Sequence, residues 1–326
     1  MSLSDGTIVV AGGAGFLGSH LCERLLNDGH RVKCIDDFST GTRANIVHLN
    51  RDENFEFQAL DIIDTRRLHE SLKEAGVRIK GIYNLACKAS PVAYQNDPIG
   101  TLMTSFDGTK SLLDATLGYG DCFFLQASTS EIYGEPLEHP QREDYHGNVN
   151  TMGPRSCYDE GKRVAETLCY EYNKLGCDVK VVRIFNTYGP RMQANDGRVV
   201  SNFIVQALNG QDITIYGDGT QTRSFCYVDD LIDVIIKMAN TEKGFIGPVN
   251  IGNPHEFQVI ELAKKVIEMT GSKSKIVFKP LPGDDPSRRR PDITLAETKL
   301  GWRPKIELEE GLLKTIEYFR GQGAKS

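Results

Sequence analysis

The sequence predicts an α/β protein built on a doubly wound parallel sheet, with a smaller lobe toward its C-terminal end. Three observations carry that expectation. Short apolar strand candidates alternate with helical segments through the first half, and a glycine-rich turn joins the first strand to the first helix. After Asn186 the alternation loosens into loops rich in Gly, Arg and Asn. Alternation of this kind gives parallel strands with helices on both faces.

Each element follows from its residues. Residues 7–13, TIVVAGG, are β-branched and end in glycines, which reads as a strand entering a turn. Residues 16–29 place apolar side chains at helical spacing and stop at a glycine. Further strand candidates lie at 31–36, 55–61, 81–87, 122–128 and 179–186, most of them separated by a helical segment. Beyond Asn186 the spacing predicts a helix at about 198–209, a returning helix over 224–240 and a strand at 248–253. The closing stretch, 254–326, reads as two helices and holds the lone Trp302. The expected division is a sheet domain of residues 1–186 rejoined by 224–253, and a lobe of 187–223 and 254–326. That lobe belongs over the carboxyl ends of the strands, where open α/β sheets bind ligands.

Composition excludes several classes. The chain has 326 residues, 40% apolar and 25% charged, ordinary for a globular protein with a substantial core. A net charge of −6 offers no basic excess for a nucleic-acid backbone, although Arg288–Arg290 form one local basic run. No apolar run approaches the ~20 residues that span a bilayer. The start lacks a charged n-region and runs straight into a strand, unlike a signal peptide. The chain as it stands reads as cytoplasmic, with the Golgi lumen open to a longer protein that carries an upstream anchor. Eight cysteines without a C-x-x-C pair read as reduced thiols. Seven dispersed histidines include no H-x-x-x-H pair, so no metal site is expected.

The glycines Gly12, Gly15 and Gly18 close the first strand and open the first helix. Glycine there lets the backbone turn tightly and approach a pyrophosphate, which then rests on the N–H groups of the helix start. Asp36 ends the second strand about twenty residues on, suited to ribose hydroxyls and repelling a 2′-phosphate. A Rossmann-type sheet binding NAD in preference to NADP is therefore expected. Asp61, at the end of the third strand, suits either the adenine amino group or a helix cap.

Tyr158 and Lys162 stand at i and i+4 of a helical segment, which puts both on one face. A neighbouring ammonium stabilises a phenolate, so Lys162 is expected to lower the Tyr158 pKa toward the range of a general base.

With fingerprint, strand-end hydroxyls and Tyr/Lys pair assembled, the chain resembles the extended short-chain dehydrogenase/reductase family. Longer stretches narrow the likeness: STSEIYGEPLEHPQ (128–141), GNVNTMGPRSCYDEGKRVAETL (147–168), RIFNTYGPRM (183–192), DGRVVSNF (196–203), GTQTRSFCYV (219–228) and DDPSRRRPDI (284–293). They resemble the UDP-glucuronic acid decarboxylase, or UDP-xylose synthase, family from Thr7 to about Phe319. The resemblance implies decarboxylation of UDP-glucuronate to UDP-xylose through a 4-keto sugar, with NAD recycled internally. The alternative is a nucleotide-sugar 4-epimerase or 4,6-dehydratase. Dehydratases carry adjacent Asp and Glu after the Thr, and the Asp protonates the departing hydroxide. Here Thr129-Ser130-Glu131 keeps the second acid and replaces the first with a hydroxyl.

By the same resemblance Thr129 bonds the C4 oxygen, and Ser130 and Glu131 face the C5/C6 region. Glu131 acts there by repulsion, through water, or as proton donor to C5. Arg289 matches the arginine near the sugar carboxylate, Arg198 and Arg223 those near the diphosphate, and Tyr94 and Asn186 further substrate contacts. Phe16, Leu17, Asp37, Phe38, Leu85, Ala86 and Thr104 complete the cofactor candidates with Tyr158 and Lys162. Three positions depart from the pattern: Gly100 and Met103 stand where relatives have lysines, and Lys88 where they have a proline. Lys88 is the candidate to supply the missing cation. Segments 98–117 and 158–175, helical in periodicity, match those that pair relatives into a homodimer.

Overall fold

The computed structural model describes residues 6–73, 78–195, 197–281 and 288–323. Asp196 and the stretch Asp284–Ser287 of the quoted motifs lie outside the described residues.

Six strands, β1 (Thr7–Ala11), β2 (Arg31–Asp36), β3 (Phe55–Ala59), β4 (Ile79–Asn84), β5 (Phe123–Thr129) and β6 (Asp178–Ile184), join Val249–Ile251 in one sheet. Its order is Val249–Ile251, β6, β5, β4, β1, β2, β3, and every pairing is parallel. Parallel strands need crossovers, and helices supply them on both faces, so the inner strands are largely buried, whereas the edge strand β3 is partly exposed. Along β1 the side chains alternate between two cores: Ile8 and Val10 face one, Val9 and Ala11 the other. The chain runs outward from β1 through β2 and β3, then reverses through β4, β5 and β6. The reversal lies between β1 and β4, and a crevice opens there at the carboxyl ends.

The turn after β1 shows why glycine is required. Gly12 has φ +77°, and a Cβ there would meet the Ala86 nitrogen at 2.7 Å. At Gly18 a Cβ would lie 2.1 Å from the Gly12 carbonyl oxygen, so the helix Phe16–Asn27 can sit against the turn only with glycine at its third position.

The chain beyond β6 differs from expectation in two places. The helix expected over 224–240 begins only at Val228, because Cys226–Tyr227 pair with Thr187–Tyr188 and Thr222–Ser224 enter another sheet. Among its described residues the closing stretch holds three helices, Val259–Thr270, Thr294–Leu300 and Leu308–Gly321, rather than two. Short strands accompany them. Glu256–Gln258, Thr222–Ser224 and Arg288–Arg289 form a three-stranded sheet, in which Arg289 pairs in parallel register with Arg223. Register partners on adjacent strands point to the same face, so this sheet sets two arginine side chains side by side.

Each of the eight cysteines is a free thiol. Among the described residues no helix is long and apolar enough to cross a membrane, and no His, Cys, Asp or Glu cluster has a metal-holding arrangement.

Gly18→Ala should destabilise the protein by roughly 1–3 kcal/mol through overpacking against the Gly12 carbonyl. Chemical denaturation checks it, and an unchanged midpoint would mean the helix can slide away from the turn.

Candidate active site

A cavity of about 560 Å³ follows the crevice, from the glycine turn along the strand ends to the small arginine-bearing sheet. Among the described residues on its wall is every candidate named from the sequence except Phe38. The Phe38 ring packs on Phe57 at 5.0 Å between centroids, with Arg43 over its face, while its backbone N–H donates to Asp36 at 2.8 Å. Its place is to hold the acid.

The first end of the cavity fits a dinucleotide. Gly15 caps the helix Phe16–Asn27 without a side-chain bond, which leaves the first-turn N–H groups for an anion. Asp36 takes N–H bonds from Ala14 and Phe38, and both oxygens keep lone pairs for hydroxyls. Of the two readings of Asp61, the helix cap falls away. Asp64 accepts the Arg67 N–H of that helix, whereas Asp61 closes a local turn onto Ile63 and lines the cavity.

At the middle of the cavity stand the ends of β5 and the helix Ser156–Lys174. Tyr158 is buried, hydrogen-bonded with Thr129, and stacked on Tyr94 with ring centroids 5.2 Å apart. Lys162 donates to the Ala127 carbonyl at 2.9 Å and lies 5.9 Å from the Tyr158 ring centre. In the protein alone the Tyr158 phenol does not show the expected lowering. Burial raises the phenol well above its ordinary value, the neighbouring Cys87 adds to the rise, and the Thr129 hydrogen bond offsets only part of it. Spacing placed the ammonium near the ring, but lost hydration outweighs it.

Beyond Tyr158 the strand-end acid is clamped. Glu131 forms ion pairs with Arg155 and with Arg289, the latter at 3.3 Å. Arg289 is 2% exposed and also donates to Ser130 at 3.0 Å and to the Gly134 carbonyl at 3.3 Å. Burial pushes the Glu131 carboxyl up, but Arg289 and Arg155 outweigh it and, with Arg223, hold it at about 2. Arg155 is the residue sequence reasoning missed. It precedes the helix by one residue, and only its separation of three from Tyr158 hinted that it shares that face. Asn186 lines the wall, and Arg198 lies 5.8 Å from the Phe16 ring, near the dinucleotide end.

The departures form a set. Lys88 lines the cavity with its ammonium 2.6 Å from Asp97. Asp97 also accepts the Gly100 N–H at 3.0 Å, and a Cβ at Gly100 would lie 2.1 Å from that carboxylate. Glycine at 100 thus makes room for the acid that tethers Lys88. Met103 is 40% exposed and is not on the cavity wall.

A Rossmann-type sheet with a dinucleotide cradle, a Tyr/Lys pair and an arginine-bearing lobe defines an extended short-chain dehydrogenase/reductase. The family model described as GDP-mannose 4,6 dehydratase matches residues 9–315. UDP-glucuronic acid decarboxylase 1 of Danio rerio is 50% identical over 313 residues, covering 96% of this chain and 72% of that one. Among solved structures, Thermotoga maritima UDP-glucose 4-epimerase superposes with TM-score 0.89 at 31% identity, covering 97% of this chain and 99% of that one. Bacillus cereus UDP-glucuronic acid 4-epimerase, in complex with UDP-glucuronic acid and NAD, gives TM-score 0.86 at 30% identity, with coverage of 97% and 99%. The chain belongs to the UDP-glucuronic acid decarboxylase family.

A carboxyl whose folded pKa is depressed stabilises the fold above its unfolded value, and that contribution is lost as pH falls toward the folded one. For Glu131 that window runs from the ordinary 4.5 down to about 2. Its carboxyl carbon, followed by NMR, should not titrate between about pH 4 and 6 in the wild type and should begin to do so in Arg155→Ala. Titration there in the wild type would contradict the clamp.

Proposed function

We propose that this chain converts UDP-glucuronate to UDP-xylose and CO₂, with NAD as a cofactor recycled in each turnover. The observation that carries this reading is the pair Ser130 and Glu131: a hydroxyl stands where a dehydratase would present its proton donor, and the half-buried Glu131 beside it is held between Arg155 and Arg289. A carboxyl held at about 2 carries no proton near neutrality, so it cannot expel hydroxide as water. The same fact disfavours Glu131 as donor to C5 and favours an electrostatic role.

The residues divide the work by position. Thr129 bonds the C4 oxygen and Tyr158 receives the C4 hydroxyl proton. NAD, when bound along the glycine turn and Asp36, supplies the hydride acceptor and donor and a positive ring charge beside Tyr158. Lys162 holds the ribose at that junction. Arg289 and Ser130 receive the C6 carboxylate, with Arg198 and Arg223 on the diphosphate as planar donors suited to oxyanions. Once C4 is a ketone, the C5–C6 bond electrons pass into an enolate as CO₂ leaves, and C5 takes a proton. Glu131 favours that departure by disfavouring a second anion beside it. Residues 187–223 and 254–326 serve as the nucleotide-sugar lobe, since Arg198, Arg223 and Arg289 all come from them.

The test is to incubate the protein with UDP-glucuronate and NAD and follow products by mass. UDP-xylose with CO₂ is expected. A UDP-hexuronate isomer without CO₂ would favour the 4-epimerase reading, to which the solved relatives give weight. Tyr158→Phe should cut turnover at least 100-fold by removing the base, with NAD affinity within about two-fold. Glu131→Ala should leave NAD reduction intact and slow CO₂ release.

We infer further that the chain forms a homodimer through Pro98–Gly108 and the helix Ser156–Lys174. Ile99, Phe106 and Tyr170 stand 68%, 41% and 58% exposed there, an apolar face that a second copy would cover. Light scattering should report a dimer for the wild type and a monomer for Ile99→Glu/Phe106→Glu; a wild-type monomer would remove this inference.

A further inference from the structure

Asp159 is buried, 6% exposed, directly after Tyr158 and one helical turn after Arg155. Its Oδ1 is enclosed and, among the described residues, accepts no hydrogen bond. It does not line the cavity, and no step described above uses it. Yet it shares its electrostatic surroundings with the clamp: Glu131 from the end of β5, Arg289 from the lobe, and Arg155 and Glu160 on its own segment. Tyr94, Cys157 and Tyr158 also feel its charge.

We propose that Asp159 sets the affinity of the site for an anionic sugar: protonated, it leaves Arg155 and Arg289 to an incoming carboxylate, and ionised, it competes for them. This rests on the reading that the substrate is a glycosyl carboxylate bound at Arg289.

The sign follows from the neighbours. Burial and the Glu131 charge push the Asp159 carboxyl up to about 7, while Arg155 and Arg289 pull it down. A substrate carboxylate on the same guanidinium groups adds repulsion and draws on their attraction, so the Asp159 pKa rises further. Binding therefore takes up a proton. Where the free group is ionised, affinity falls with the protonated fraction. That makes binding about ten-fold weaker at pH 8 than at pH 6. After CO₂ departs the repulsion vanishes and Asp159 releases its proton more readily, so product binding lacks this dependence.

The test is calorimetry on protein loaded with NADH, which cannot accept a hydride, so that UDP-glucuronate binds without turning over. Titrations near pH 7.5 in two buffers of different protonation enthalpy count protons taken up. Uptake is expected with UDP-glucuronate, and none with UDP-glucose, which lacks the carboxylate. Asp159→Asn should bind UDP-glucuronate with nearly equal affinity at pH 6 and pH 8 and take up no proton. Equal uptake for both ligands, or a pH dependence unchanged in Asp159→Asn, would overturn the inference. Should that variant not fold, the wild-type comparison of the two ligands decides alone. CO₂ release without proton uptake sinks this inference and leaves the functional reading standing. UDP-glucuronate that does not bind at either pH sinks both.

Discussion

Two guanidinium groups hold one half-buried carboxylate just beyond the end of β5, and the rest of the site is arranged around that contact. Glu131 comes from the sheet, Arg155 from the turn before the helix that carries Tyr158, and Arg289 from the C-terminal lobe. Breaking a buried pair by removing one partner typically costs about 3–5 kcal/mol, because the other charge is left without compensation. The clamp is thus both a latch between lobe and sheet and the source of the local potential. It also decides protonation: an acid so held stays ionised and supplies no proton near neutrality.

The remaining geometry serves that corner. The sheet reversal between β1 and β4 opens the crevice, and the glycine turn lets a dinucleotide lie at its edge. The small sheet of Thr222–Ser224 and Arg288–Arg289 aligns Arg223 with Arg289 over the strand ends. Chemistry then requires only that a ketone form beside the carbon bearing the acid group. In the proposed reading, positive groups hold that acid in place and a fixed negative charge discourages it from staying. Asp159 adds a titratable competitor for the same cations, so the strength of the corner varies with pH.

Much of this was readable in the chain. The Gly12–Gly18 turn, Asp36 at the end of β2 and the Tyr158/Lys162 spacing are local patterns, and local patterns survive folding. What was not readable depends on contacts distant in sequence. Arg155 is an ordinary pre-helical residue until Glu131, 24 positions away, folds against it. Cys226–Tyr227 fit a helical run until the Thr187–Tyr188 strand claims them. The Tyr158 phenol was judged by its lysine neighbour, but burial, which spacing does not report, raises it. Lys88 and Gly100 looked like separate departures; Asp97 joins them.

The most direct measurement of the central claim uses UDP-glucuronate deuterated at C4, incubated with the protein and substoichiometric NAD. The account predicts CO₂ equal to sugar consumed and UDP-xylose that keeps its deuterium at C4, because the hydride leaves and returns within one site. Loss of that label to solvent, or a product that still carries its carboxylate, would contradict it.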